Sequence, residues 1–330
     1  MKTLYRMALL AGLAVTTAVP AHAEIKVVAS IKPVHSLVSS IMQGVGEPGL
    51  IIDGAGSPHG YSMKPSQAQM LEKAGVVFWI GHELETFLER PVETIGANAK
   101  SVELIDTAGL EILAFREGGA FSTHHEDHDD DHGHDADHDD YDHDADHDDH
   151  DQHEHGHAHH GTDPHIWLDP KNAKILASRI AAVLSELDPA NGDRYAANEA
   201  ALQSQIDALI GEVDQQLAPV RNRGFVVFHD AYHYFEHRFD LEATGSITIN
   251  PEVMPGAERL SEIREKISSL GVTCVFAEPQ FPSSHIDVVT EGTQTNVGIL
   301  DPLGSSLENG PDLYPNLIRA MAVSIRECLN

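Results

Sequence analysis

The sequence predicts an α/β fold of two lobes, each built on a mainly parallel sheet flanked by helices, with a long helix joining them. Two observations place the lobes: short apolar runs alternate with helix-period segments, and this happens in two separate blocks. A third places the junction: a tract of almost pure His, Asp, Glu and Gly divides the blocks, and an unbroken helical pattern follows it. At 330 residues the chain is long enough for a sizeable core in each lobe.

Residues 1–23 read as a signal peptide. Lys2 and Arg6 form a charged n-region, residues 7–19 an apolar h-region, and Ala21-His22-Ala23 a cleavage site. The expected mature chain starts at Glu24, is exported to the periplasm, and carries no Cys there for a lipid anchor. The first lobe is expected over 24–168. Residues 25–30 (IKVVAS) form a buried strand, and 33–42 a helix with Pro33 near its start. A helix at 65–73, a strand at 76–80 (VVFWI), a helix at 83–92 disturbed by Pro91 and a strand at 102–105 complete it.

The insert occupies 122–162. Between positions 124 and 160 it holds 14 of the chain's 23 His and 16 of its 52 acidic residues, with no Lys or Arg. It therefore carries about half of the net charge of −31 and has no apolar surface to offset chain entropy, so it is expected to be disordered without ligand. Its histidines, His124, His125, His128, His132, His134, His138, His143, His147, His150, His153, His155, His157, His159 and His160, are candidate auxiliary metal ligands. The acidity excludes nucleic acid as a partner, since phosphate binding needs a basic face, and favours cations.

The joining helix is expected over 169–190, where Ile175, Leu176, Ile180, Val183, Leu184 and Leu187 follow helical spacing between Pro170 and Pro189. The second lobe, 191–330, opens with a helix at 193–217. Strands follow at 225–228 (FVVF), 272–277 (VTCVFA) and 297–300 (VGIL), interleaved with helices at 257–270, 285–291 and 313–329. The two cysteines, Cys274 and Cys328, suit one disulfide in an oxidising compartment, closing a 54-residue loop worth about 4 kcal/mol. Two free buried thiols are the alternative.

Four residues outside the insert stand where parallel sheets bind ligands, or in turn chemistry beside them. His229 follows the strand at 225–228 and Asp301 the strand at 297–300. His59 lies in GAGSPHGYSMKPS, and His165 in TDPHIWLDP just before the joining helix. Three neutral imidazoles and a carboxylate make an N3O set suited to tetrahedral Zn2+, whereas Mn2+ prefers more oxygen. A competing pattern is His233-Tyr-Phe-Glu236-His237, the H-x-x-E-H of inverted zinc peptidases. On one helix, His229, His233 and His237 would share a face. Against it, 225–228 reads as a strand, and Tyr232, Tyr234 and Phe235 read as packing. His35 reads as structural or solvent-facing, His82 as an isolated feature at a strand end with little claim to a ligand role, and His285 as an exposed helix-start residue.

Six segments carry a family resemblance covering nearly all of the mature chain: PHGYSMKPSQ at 58–67, DPHIWLDP at 163–170, FVVFHDAYHYFEHRF at 225–239, NPEVMPGAERL at 250–260, CVFAEPQF at 274–281 and LDPLGS at 300–305. The chain resembles the metal-binding receptors of ABC importers, in their periplasmic zinc-binding branch. The resemblance implies a non-enzymatic receptor that binds Zn2+ with high affinity and hands it to a membrane permease coupled to a cytoplasmic ATPase. It implies His59, His165 and His229 as ligands, with histidine at 229 marking the zinc type. The fourth position falls to Asp301 or water, because Pro58 replaces the acid that other members carry beside the first histidine. It further implies the Cys274–Cys328 disulfide and a rigid helix between lobes. The expected partners are the permease and a periplasmic zinc chaperone, and the expected state is a monomer. The rival readings are a manganese or iron receptor of the same family, a zinc hydrolase, and a surface adhesin on the same scaffold.

Overall fold

The structure, a computed structural model, describes residues 25–116, 121, 161–248, 251, 255–269 and 271–330. The signal peptide and the 14 insert histidines lie outside the described residues. In chain order the first lobe comprises β1 (Val27–Ala29), α1 (Lys32–Ile41), β2 (Gly49–Leu50), α2 (Pro65–Glu72), β3 (Val76–Trp79), α3 (Thr86–Thr94) and β4 (Lys100–Glu103). A 3-10 turn at Ile166–Leu168 leads into α4 (Pro170–Leu187) and α5 (Gly192–Leu217). The second lobe follows as β5 (Phe225–His229), α6 (His233–Phe239), β6 (Gly245–Thr248), α7 (Ala257–Ser269), β7 (Cys274–Ala277), α8 (Ser284–Thr290), β8 (Asn296–Ile299) and α9 (Leu313–Leu329).

Both sheets are wholly parallel and repeat one strand order, β2-β1-β3-β4 and β6-β5-β7-β8. The central strands, such as β3 (VVFW) and β5 (FVVFH), are buried along their whole length, because helices cover both faces of a parallel sheet. Each order has its topological switch between the first and third strands of the lobe, so the ends of β1 and β3, and of β5 and β7, open onto a ligand crevice.

One continuous apolar core runs through both lobes, from Val27 in β1 to Leu329 in α9, with α1 packed among α4, α5 and α9. A smaller core, including Ile247, Ile263, Val275 and Ile286, lies beneath α7 and α8. The lobes are also stitched by polar contacts. Lys32 Nζ in α1 donates to the carbonyls of Ser305 and Leu307, and Trp167 Nε1 donates to Pro302 O. Tyr314 Oη in α9 donates to Trp167 O.

The element spanning the lobes is α5, one helix later than the sequence pattern suggests. Near its start Asn198 donates to the carbonyls of Ile41 and Gln43, and near its end Glu212 accepts from Arg319 of α9. Helix α4 stays along the first lobe, its last turn pairing Glu186 with Lys100 of β4. Apolar spacing reveals a helix but not the lobe its stripe will meet.

Two strands escape the sequence pattern: β2, of two residues, and β6, whose Gly-Ser-Ile-Thr lacks an apolar run yet is buried throughout. Pro91 sits inside α3, which continues to Thr94. His285, read as exposed, is buried against Phe228, with ring centroids 6.3 Å apart. The Cys274–Cys328 disulfide joins β7 to the last turn of α9. Gly298 of β8 lies over it, where an added Cβ would come within 2.6 Å of Phe276 and 3.1 Å of Cys328 Sγ. Among the described residues no helix is long and apolar enough to cross a membrane.

Candidate metal centre

Three imidazoles from distant parts of the chain meet in the crevice between the lobes. His59 comes from the loop between β2 and α2, His165 from the turn before α4, and His229 from the end of β5. The Nε2 atoms of His59 and His165 are 3.3 Å apart, and those of His165 and His229 3.4 Å. All three nitrogens lie within 4.8 Å of one another, the only such group of three or more His, Cys, Asp or Glu among the described residues. A tetrahedral Zn2+ with Zn–N bonds near 2.05 Å sets neighbouring nitrogens about 3.3 Å apart. The spacing therefore matches two edges of a zinc coordination tetrahedron.

Buried carboxylates hold two of the rings. His165 Nδ1 donates to Asp163 Oδ1 at 2.7 Å, and His229 Nδ1 donates to Glu278 Oε1 at 2.7 Å. A proton held on Nδ1 leaves the Nε2 lone pair for a cation. His59 has no such carboxylate among the described residues and is the most exposed of the three. Burial and the neighbouring imidazoles hold His59 and His165 well below the usual histidine value. Burial pushes His229 the same way, but Glu278, Asp230 and Asp163 outweigh it and raise its pKa. Burial pushes the Asp163 carboxyl up to about 8.

The crevice also contains Ser57, Pro58, Trp167, Gln280, Phe281, Pro302 and Leu303, and the centre of a water-sized particle can occupy only about 10 Å³ of it. That is room for one small occupant, not an organic solute.

Asp301, one of the two expectations for the fourth position, is not part of the group of three. Its oxygens are taken by the backbone N–H groups of Leu303, Gly304 and Ser305, by Ser305 Oγ and by Gln280 Nε2. A short Asp side chain after a strand satisfies its own turn first. Asp163 and Glu278 were missed. Glu278 directly follows β7 as His229 ends β5, so the same strand-end rule applied to every strand of the block picks it out.

The H-x-x-E-H segment assembles no metal site. His229 ends a strand, and Glu236 is held by Arg116, whose Nη1 donates to it at 2.7 Å, while His237 pairs with Glu111. Arg116 also grips Asp230, the neighbour of His229. Just beyond Arg116 the chain enters the insert, whose stem is closed by an antiparallel bridge between Ala114 and Thr162, with Asp163 N donating to Leu113 O at 2.9 Å.

The chain matches the family described as "Zinc-uptake complex component A periplasmic" over residues 27–328. A "High-affinity zinc uptake system protein ZnuA" from Brucella suis biovar 1 (strain 1330) is 51% identical over 305 residues, 92% of this chain and 91% of that protein. The protein of the same name from Yersinia pestis is 36% identical, covering 92% and 91%. Among solved structures, a crystal structure of ZnuA superposes with a TM-score of 0.72 at 24% identity, covering 93% of this chain and all of that one. The periplasmic zinc-binding protein TroA from Treponema pallidum does so with 0.71 at 18%, covering 93% and 99%. These superpositions establish the shared fold. The chain belongs to the zinc-uptake complex component A family.

Proposed function

We propose that this protein is an exported receptor that captures Zn2+ with high affinity and delivers it to an ABC permease driven by its ATPase. The family membership and the names of its relatives support the transport role. The proposed ligands are His59, His165 and His229. The observation that carries the reading is the approach of three Nε2 atoms to 3.3 and 3.4 Å in a cavity for a single small occupant. Three nitrogen donors with two carboxylates behind them favour Zn2+ over the oxygen-loving Mn2+. The two carboxylates balance a dication at neutral imidazoles, so the ion is desolvated without leaving net charge buried. The ion is cargo and no bond is made or broken in it, which fits a receptor rather than an enzyme.

The signal peptide, monomeric state and contribution of the insert histidines belong to the same proposal, with a periplasmic zinc chaperone as a further donor. The test is competition titration of the mature chain against a chelator strong enough to strip the insert. Wild type should retain one tight Zn2+ equivalent, and His59→Ala should lose it. Tight binding unchanged in His59→Ala removes that residue from the ligand set.

A further inference from the structure

His165 and His229 sit on different segments, yet their Nε2 atoms lie 3.4 Å apart. The segment that leads into the insert, residues 111–116, is held from behind both rings. From α4, which follows His165, Asn172 accepts from Glu111 N and donates to Glu111 O, both at 2.9 Å. From α6, which follows His229, Tyr234 Oη accepts from Leu113 N at 3.0 Å. The same phenol donates to Asp163 O at 2.9 Å. Leu113 and Asp163 face each other across the stem, where Asp163 N donates to Leu113 O. At such a pair the antiparallel pattern calls for a return bond, from Leu113 N to Asp163 O. The buried phenol of Tyr234 stands in the place of that bond.

We infer that Tyr234 is a positioning residue that sets the separation of His165 from His229. This inference rests on the three-histidine reading of the site. Asp163 aims the first ring, its Oδ1 accepting from His165 N at 3.0 Å and from His165 Nδ1 at 2.7 Å. The backbone of Asp163 is fixed in turn by the rung to Leu113 and by the bond from Tyr234. The helix that carries Tyr234 begins at His233, and Ala231 N in the turn before it donates to His229 O at 2.9 Å. One phenol therefore spans from the helix behind one ligand to the residue behind the other. Without the phenol oxygen, Leu113 N and Asp163 O are left to bond each other, as buried polar groups must find partners. That closure draws Asp163 towards the stem and turns His165 with it. The displacement stays local, because other ties hold the same helices. Arg238 of α6 donates to Asp169 at the start of α4, and Arg116 pairs with Glu236. The H-x-x-E-H segment thus has a use without being a metal site: its Tyr234 and Glu236 bond the stem.

The experiment compares two buried phenols in the full mature chain. Tyr234→Phe should bind one Zn2+ about tenfold more weakly than wild type, in competition with a chelator strong enough to strip the insert. With one Co2+ equivalent bound under the same competition, its ligand-field bands should be displaced. Tyr195→Phe is the control. That phenol, in α5, donates to Asp188 Oδ2 at 2.9 Å and takes no part in the cavity, so its loss should cost stability alone. Affinity and bands of Tyr234→Phe equal to those of wild type overturn the inference, as does an equal loss of affinity in Tyr195→Phe. Crystal structures of the wild-type chain with and without zinc give a second reading that needs no variant. Both should show Tyr234 Oη between Leu113 N and Asp163 O. A direct Leu113–Asp163 return bond in either one overturns the inference. Loss of tight binding in His59→Ala, with Tyr234→Phe matching wild type, sinks this inference and leaves the receptor site standing. No effect of either variant sinks both.

Discussion

Lys32, at the start of α1 in the first lobe, donates to the carbonyl of Leu307 in the second lobe at 2.7 Å. It also donates to Ser305 O at 3.0 Å, so one largely buried ammonium holds the segment that follows β8 and walls the metal cavity. Lys32→Met keeps the stem but leaves two carbonyls without a donor. It should lower unfolding free energy by about 1–3 kcal/mol, read in denaturant titration of the metal-free protein. Zinc affinity should change less than tenfold, because Lys32 touches none of the imidazoles.

Zinc binding should release protons at neutral pH. Burial pushes the Asp163 carboxyl up to about 8, so near pH 7 it holds a proton that a cation beside it would displace, and Glu278, Asp230 and Asp163 raise His229 above the usual histidine value. Calorimetry at pH 7 in buffers of different ionisation enthalpy should show about one proton leaving per ion. The sign for affinity follows. As pH falls through about 8 the Asp163 carboxyl is neutralised, and as it falls through the raised value of His229 that ring becomes a cation, so both weaken zinc affinity. A second fall comes in stronger acid, where His59 and His165 charge. A proton count of zero would contradict this picture.

Arg116 is the partly buried cation shared by two buried carboxylates, Asp230 and Glu236. Arg116→Met should destabilise the protein by about 3–5 kcal/mol by leaving both unpaired. Unpaired buried carboxyls take up protons with raised pKa values. The deficit should therefore be largest at alkaline pH and shrink as pH falls towards 5, which denaturation at the two pH values would show.

Reducing the Cys274–Cys328 disulfide frees a loop with a sequence separation of 54. The chain-entropy model gives up to about 4 kcal/mol for that closure. The double Ser variant should therefore unfold at lower denaturant concentration while keeping its zinc site, since neither cysteine lies in the cavity.

Most of the fold can be read in the sequence because its strands are short, wholly apolar runs between helical periods. The start of β5 at Phe225, the start of β7 within VTCVFA and the whole of α9 fall where the pattern places them. Strand β6 does not, because Gly245 and Ser246 are buried by their neighbours rather than by their own hydrophobicity. At the site, His59, His165 and His229 could be singled out because strand ends and Pro/Gly turns expose side chains to a crevice. Asp301 obeys the same rule, yet its oxygens bond its own turn. Strand ends locate a side chain but do not say whether its oxygens turn outward or fold back on the next three N–H groups. Glu278 is the converse case, a residue whose partner lies 49 positions away in sequence, a pairing no local pattern contains.

The stem of the insert has an evolutionary consequence. Leu113, Phe115, Gly161 and Asp163 form a rung-to-rung closure whose hydrogen bonds ignore whatever lies between them. With the closure intact, Asp163 stays against His165 however many codons are gained or lost. The repetitive tract can thus be remodelled freely while the ring beside it keeps its aim.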